Sequence, residues 1–190
     1  MSGSLYLLDS NILIRWVQPG GPDYAAVKSA LDLLARQQAV LCYTSQNLAE
    51  FWNACTRPAD RNGYGMSPPE TDRRASIFEG KLRLLPDNLE VHQEWRRLLV
   101  THNVRGVQVH DARLVAAMRV HGVGRILTFN ARDFARCSGV EAIPPPSHLH
   151  QPWLGDSATK RLRTARGVAR KRYRAALAIS AAISLAAASG

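Results

Sequence analysis

The sequence predicts an α/β domain over residues 1–146, with a central, mostly parallel sheet covered by helices on both faces, and a C-terminal extension over 147–190. Three observations predict it. Short apolar runs such as Leu5–Leu8 show no two-residue alternation, the mark of a strand buried on both faces. Such runs alternate with segments of helical periodicity, as they do where a parallel sheet is wrapped by helices. Acids recur where the runs end, and open α/β folds place their ligands beyond the carboxyl ends of the strands.

The elements follow in order. Leu5 to Leu8 reads as the first strand, ending at Asp9, with Ser10 and Asn11 next and apolar residues again at Ile12, Leu13 and Ile14. Asp9 is also a good helix cap, so a purely structural role stands beside a chemical one. Gln18 to Pro22 is a turn; Pro22 opens a helix with Val27, Leu31 and Leu34 at helical spacing, running to Gln38. Ala39 to Tyr43 is a second strand. Thr44 or Ser45 caps a helix whose apolar face is Leu48, Phe51, Trp52 and Cys55, leaving Gln46, Asn47, Glu50 and Asn53 on the opposite, solvated face. Residues 57–69 are a loop by composition.

A helix is predicted from Glu70 to Leu85, with Ile77, Phe78 and Leu82 buried, and a further one from Leu89 to His102 with Trp95, Leu98, Leu99 and His102 on one stripe. His102 there reads as a core-edge histidine. Val107 to Met118 reads as a short β-like segment passing into a helix, with Asp111 at the turn, where an acid suits the helix N-terminus. Gly122 and Gly124 stop that helix; Arg125 to Phe129 is another buried strand and Val140 to Ile143 a last edge strand before Pro144, Pro145 and Pro146.

The formal charge of the chain is +10, and 21 of its 25 basic residues are Arg. Arg suits bidentate phosphate recognition, which makes nucleic acid the first partner to test. The charge is uneven: residues 151–190 hold eight Lys or Arg against a single acid, a balance of +7 that leaves +3 for the first 150. Three widely spaced cysteines, Cys42, Cys55 and Cys137, form no metal-ligand pattern and read as reduced thiols of a cytoplasmic protein. The N-terminus lacks the basic region and apolar core of a secretion signal. The Ala-rich run Ala175–Gly190 is 16 residues long, short of the ~20 that span a bilayer, so no stable membrane insertion is expected. The extension reads as disordered or helical.

Four acids stand out: Asp9 after the first strand, Glu50 on a polar helix face, Asp111 at a helix start and Asp133 past a later strand. Clustered carboxylates repel one another unless a cation lies among them, and hard oxygen ligands suit Mg²⁺ or Mn²⁺. On an Arg-rich chain the natural substrate for such a site is a phosphodiester.

The motifs LLDSNILI, NLAEFW, VHDARLVAAM and TFNARDF, in that order, resemble the acidic motifs of PIN-domain ribonucleases, especially VapC-type toxins. The resemblance covers residues 4 to about 146. It implies a PIN-like fold, Mg²⁺- or Mn²⁺-dependent endonucleolytic cleavage of RNA, a homodimer, and inhibition by a small antitoxin. By that likeness Asp9, Glu50, Asp111 and Asp133 are catalytic, with Asp9, Asp111 and Asp133 on the metal and Ser10, Asn11, Thr128 and Asn130 in support. Asn130 or Asp133 fills the fourth acidic position. Two other classes compete. A non-catalytic RNA- or partner-binding module of the same fold is disfavoured by four acids facing a polyanion. A phosphatase of the haloacid dehalogenase type would need a second Asp where Asn11 stands. No GxxxxGK[ST] phosphate loop is present.

Overall fold

The structure, a computed structural model, describes residues 4–135 and 137–146; the extension expected over 147–190 lies outside the described residues. Five parallel strands form one sheet in the order β3-β2-β1-β4-β5. They are β1 (Leu5–Leu8), β2 (Val40–Thr44), β3 (Arg83–Leu85), β4 (Arg125–Leu127) and β5 (Glu141–Ile143). Seven helices connect them among the described residues: α1 (Ser10–Trp16), α2 (Tyr24–Arg36), α3 (Ser45–Thr56), α4 (Pro68–Glu79), α5 (Leu89–Thr101), α6 (Gln108–Val120) and α7 (Ala131–Phe134).

Successive strand residues point to opposite faces, which is why β1 carries no polar alternation. Tyr6 and Leu8 enter one core with Tyr43, Leu127 and residues of α1 to α4. Leu7 enters the other with Cys42, Ile126 and residues of α5 and α6. The first core is tied by edge-on rings, Phe51 against Phe78 at 5.1 Å and Tyr43 against Phe78 at 5.7 Å. Leu7, Leu8, Ile12, Leu13, Phe51, Phe78 and Ile126 are all fully buried, each contributing roughly 1.5–3 kcal/mol relative to exposure. No helix of the described residues is long and apolar enough to cross a membrane.

Side-chain caps start three of these seven helices. Thr44 and Asn47 form a reciprocal capping box at the start of α3. Ser67 caps α4 by accepting from the Glu70 N–H, with Pro68 in the first turn, and Asn88 caps α5 by accepting from the Val91 N–H. Gly122 follows α6 at φ +68°, a conformation that favours glycine.

Four expectations are corrected. The helix expected from Glu70 to Leu85 is α4 ending at Glu79, then β3; Gly80 stops the helix and Leu85 turns inward as the edge of the sheet. Ile77, expected in the core, is exposed, because Thr71, Ala75 and Phe78 form the buried face. The β-like segment before Asp111 is instead the start of α6, with Val107 exposed. Trp95 and Leu99 are half-buried around buried Leu98, whereas His102 is exposed rather than at the core edge.

Candidate active site

The parallel register brings five polar residues together at the carboxyl edge of the sheet. Leu8 pairs with Leu127, so Asp9 and Thr128 are the next residues on neighbouring strands. Asp9 is 8% exposed and Thr128 fully buried. Thr128 Oγ1 donates to Asp9 Oδ2 at 2.5 Å, and Asn11 Nδ2 donates to the same oxygen at 2.6 Å. Asn11 Oδ1 in turn accepts from the Phe129 N–H, and the Asn130 N–H donates to Thr128 Oγ1. Asn11 thereby links the first turn of α1 to the end of β4.

Asp9 occupies the N-cap position of α1, but its side chain makes no cap hydrogen bond. The Ser10 and Asn11 N–H groups face the carboxyl and favour its charged form without reaching cap geometry. Burial dominates and pushes the Asp9 carboxyl above its ordinary value, opposed by the Thr128 hydroxyl and reinforced by the negative charge of Glu50. A purely structural role for Asp9 thus has the right position but not the bond that would define it.

Glu50 is drawn to Asp9 by neighbouring side chains. Ser10 Oγ donates to Glu50 Oε2 at 2.5 Å, and Gln46 Nε2 donates to Glu50 Oε1 at 2.7 Å. Asn47 Nδ2 donates to Ser10 Oγ at 3.1 Å, and Gln46 Nε2 also reaches the His110 carbonyl in the first turn of α6 at 3.1 Å. The polar face of α3 is therefore not a solvated one: Gln46 is 7% exposed and Asn47 fully buried. Neither Gln46 nor Asn47 is marked in the sequence as part of the site. The spacing Thr44-x-x-Asn47 signals the cap, but nothing local signals the bond to Ser10, 37 residues away.

Asp111 lies in the first turn of α6 and lines a cavity of about 20 Å³ with Leu98, Val115 and Arg119, room for no more than a water. Asp133 lies in the first turn of α7 and, like Asn130, is exposed. The structure thus brings Asp9, Glu50, Ser10, Asn11 and Thr128 together, with Asn130 touching through its backbone. Among the described residues, no three His, Cys, Asp or Glu side chains are gathered into a group able to hold a metal ion by themselves. The Asp9–Glu50 pair nevertheless fits a hard cation, since Mg²⁺ is commonly held by one or two carboxylates and keeps several waters. Gln46 Oε1, buried beside the pair without a hydrogen-bond partner, is open to a donor such as a hydrated cation.

Arg15 flanks the site on α1. Its Nη1 donates to the Asn11 carbonyl at 2.9 Å, its Nε pairs with Asp23 at 2.9 Å, and its guanidinium lies 4.7 Å from the centre of the Phe129 ring. Nothing in the sequence marks Arg15 apart from the other arginines.

A family model described as PIN domain matches residues 6–140. No curated protein matches the chain in sequence. Among solved structures, the chain is similar to VapBC2 from Rickettsia felis bound to a DNA fragment from its promoter, at 17% identity and TM-score 0.55, covering 74% of this chain and 98% of that one. It is similar to DNA-bound VapBC from Salmonella typhimurium at 16% identity and TM-score 0.55, covering 77% and 100%. It is also similar to Mycobacterium tuberculosis VapC20, described as a Sarcin-Ricin loop cleaving toxin, at 18% identity and TM-score 0.52, covering 68% and 93%. At these identities the likeness is one of fold.

Proposed function

The chain belongs to the PIN-domain family, and from that premise we propose that it is a metal-dependent endoribonuclease, the toxin of a toxin–antitoxin pair. The observation that carries this reading is buried Asp9 beside half-buried Glu50, whose Oε2 accepts from Ser10, at the carboxyl edge of a parallel sheet. A buried carboxyl beside a second acid is a poor device for stability, since burial and the charge of Glu50 both oppose the charge of Asp9. It is a good device for holding a cation. Its structural neighbours include a toxin described as cleaving the sarcin-ricin loop and toxin–antitoxin complexes, which supports the choice of substrate and partner.

In this reading Asp9 and Glu50 would hold Mg²⁺ or Mn²⁺, and Asp111 and Asp133, in the first turns of α6 and α7, are the two further acids that the resemblance assigns to catalysis. A metal bound there would supply a water of lowered pKa and neutralise charge on the scissile phosphate. Asn11 and Thr128 both donate to Oδ2 of Asp9, fixing the carboxyl plane, and the Thr128 bond opposes the upward push of burial on its pKa. Ser10 and Gln46 fix the two oxygens of Glu50 in the same way. Asn130 braces Thr128 from beyond β4. Asn11 is already committed as a donor to Asp9 and as an acceptor from Phe129, which suits a positioning residue and not the second acid of a phosphatase.

The same reading makes the protein cytoplasmic, a homodimer, and inhibited by a small antitoxin that covers the acid site. Residues 1–146 form the nuclease domain and 147–190 a separate extension. The test is cleavage of RNA by the purified chain with Mg²⁺ or Mn²⁺, and its loss both in excess chelator and in Asp9→Asn. Undiminished cleavage in chelator overturns the reading.

A further inference from the structure

We propose that the cavity beyond the carboxyl end of β3 binds one unpaired RNA base bearing an exocyclic amine, beside the acid site; this rests on the nuclease reading above. The cavity holds about 310 Å³, within the range of small-ligand sites, and is lined by Asp87, Asn88, Val91, His92, Trp95 and Arg113. Its lining is rich in flat groups. The His92 and Trp95 rings meet edge-on at 6.1 Å, and the Arg113 guanidinium lies 5.8 Å from the centre of the Trp95 ring. Single-stranded bases stack on aromatic rings and on guanidinium planes.

These groups are held in place without a ligand. Trp95 Nε1 donates to the Val109 carbonyl at 3.0 Å, Arg113 Nη2 to Asp87 Oδ2 at 2.7 Å, and the Val91 N–H to Asn88 Oδ1 at 2.9 Å. The Arg113 bond engages one oxygen of Asp87 and offsets its charge toward phosphate. A carboxylate has two acceptor oxygens, so that bond leaves Asp87, a residue of the cavity lining, able to accept from a base as well. Adenine, cytosine and guanine each offer an exocyclic amine to such an acceptor, whereas uracil offers only its N3–H, flanked by two carbonyl oxygens that a carboxylate repels.

The cavity and the acid site share one piece of backbone. Trp95 bonds to the Val109 carbonyl, and Gln46, which also holds Glu50, bonds to the carbonyl of the next residue, His110. β3 and β2 end in register at Leu85 and Thr44, so Asp87 and Asn88 leave the same sheet edge as α3. A base seated against Trp95 and a cation held by Glu50 would thus press on the same turn of α6. Specificity for a base and placement of the phosphate are then set by the same turn of α6.

The test uses the full chain in chelator, so that binding is read without cleavage, with short labelled homopolymers of A, C, G and U followed by fluorescence anisotropy. The expected result is weakest binding to U. Trp95→Ala, its fold checked by circular dichroism, weakens A, C and G by about fivefold to a hundredfold, the range for removing one base stack. His92→Ala removes only an exposed ring and weakens them in the same direction, while Asp87→Asn narrows the gap between U and the rest. Folded Trp95→Ala and His92→Ala proteins with wild-type affinities and wild-type kcat/KM for RNA overturn the cavity assignment and leave the nuclease reading standing. Free cytidine bound as tightly as the oligonucleotide also overturns it, in favour of a small-molecule site. A wild-type chain that binds none of the oligonucleotides overturns the cavity assignment, and cleavage of RNA with Mg²⁺ or Mn²⁺ then decides the nuclease reading separately.

Discussion

Thr128 donates its hydroxyl proton to Asp9 Oδ2 across the β1–β4 pair, and both residues are buried. This bond is the main local force opposing a burial that pushes the Asp9 carboxyl above its ordinary value. In metal-free protein, Thr128→Val raises the Asp9 carboxyl further and lowers stability by ~1.5–3 kcal/mol at neutral pH, the range for a hydrogen bond to a charged group. The sign follows from linkage. Native Asp9 titrates above its unfolded value, so stability falls as pH rises from the unfolded pKa through the native one, and the valine deepens that fall. Urea melts in chelator at acid and neutral pH measure it. Thr128→Ser, which keeps the hydroxyl, should restore most of the loss; an equal loss at both pH values would assign the effect to packing.

Asp9→Asn moves stability the other way. The amide oxygen can still accept from Thr128 and Asn11, while the buried charge and its repulsion from Glu50 are gone. The variant should be folded and no less stable than wild type at neutral pH, yet cleave RNA at least ~100-fold more slowly. Asp111→Asn should lose cleavage to a similar extent. Asn caps a helix as well as Asp does, so a capping role predicts unchanged turnover. A folded Asp9→Asn protein with full metal-dependent activity would remove Asp9 from the site.

Metal removal has a readout besides activity. Added Mg²⁺ or Mn²⁺ should raise the melting temperature of the chelator-treated chain with increasing concentration, because a ligand of the native state alone stabilises it by mass action. The shift should be lost in Asp9→Asn and in Glu50→Gln. A shift of full size in both variants would place the ion elsewhere.

How far the site is legible in the sequence depends on how local each interaction is. The end of β1 at Asp9 is readable because a continuous apolar run stops there, and Asp111 and Asp133 stand in the first turns of α6 and α7. Glu50 is readable only as an odd acid on a polar face. That face turns out to be built from Gln46 and Asn47 reaching His110 and Ser10, bonds spanning 64 and 37 residues that no periodicity encodes. β3 is hidden for a different reason. It is three residues long, follows a helix after a short turn, and leaves Leu84 exposed, so its pattern is too short to contradict a continuing helix. The segment before Asp111 misleads because Val107 and Val109 suit a strand, whereas the bonds from Trp95 and Gln46 hold it as the first turn of α6.

Glu94 ties the outer helices together. It accepts from Arg97 on α5 and from Arg119 on α6, and Arg119 also reaches the Ser138 carbonyl. Arg97 first, then Arg119, hold its carboxyl down at about 2. The contribution is present above the unfolded carboxylate value and is lost as pH falls through about 2. Glu94→Gln should therefore cost ~1 kcal/mol at neutral pH, a modest figure because Arg97 is largely exposed to solvent, and the difference from wild type should vanish in strong acid. Paired denaturant melts across that range check it.

The extension poses the last question, and charge answers it in a measurable way. Truncation after Pro146 should leave the fold and metal-dependent cleavage intact, since among the described residues both cores are built from side chains that lie before it. It removes a balance of +7 and eight Lys or Arg, and with them the means to neutralise up to eight phosphates. Each phosphate left without its cation reduces the slope of log affinity against log salt by ~0.7 for single-stranded RNA. The truncated chain should bind RNA more weakly at low salt and approach the full chain as salt rises, because the missing attraction is the one that salt screens. Affinities measured across a salt series read the slope directly. An unchanged slope would show that residues 147–190 do not touch RNA. A truncated chain that fails to fold would place those residues within the folding unit, against a boundary at the triple proline.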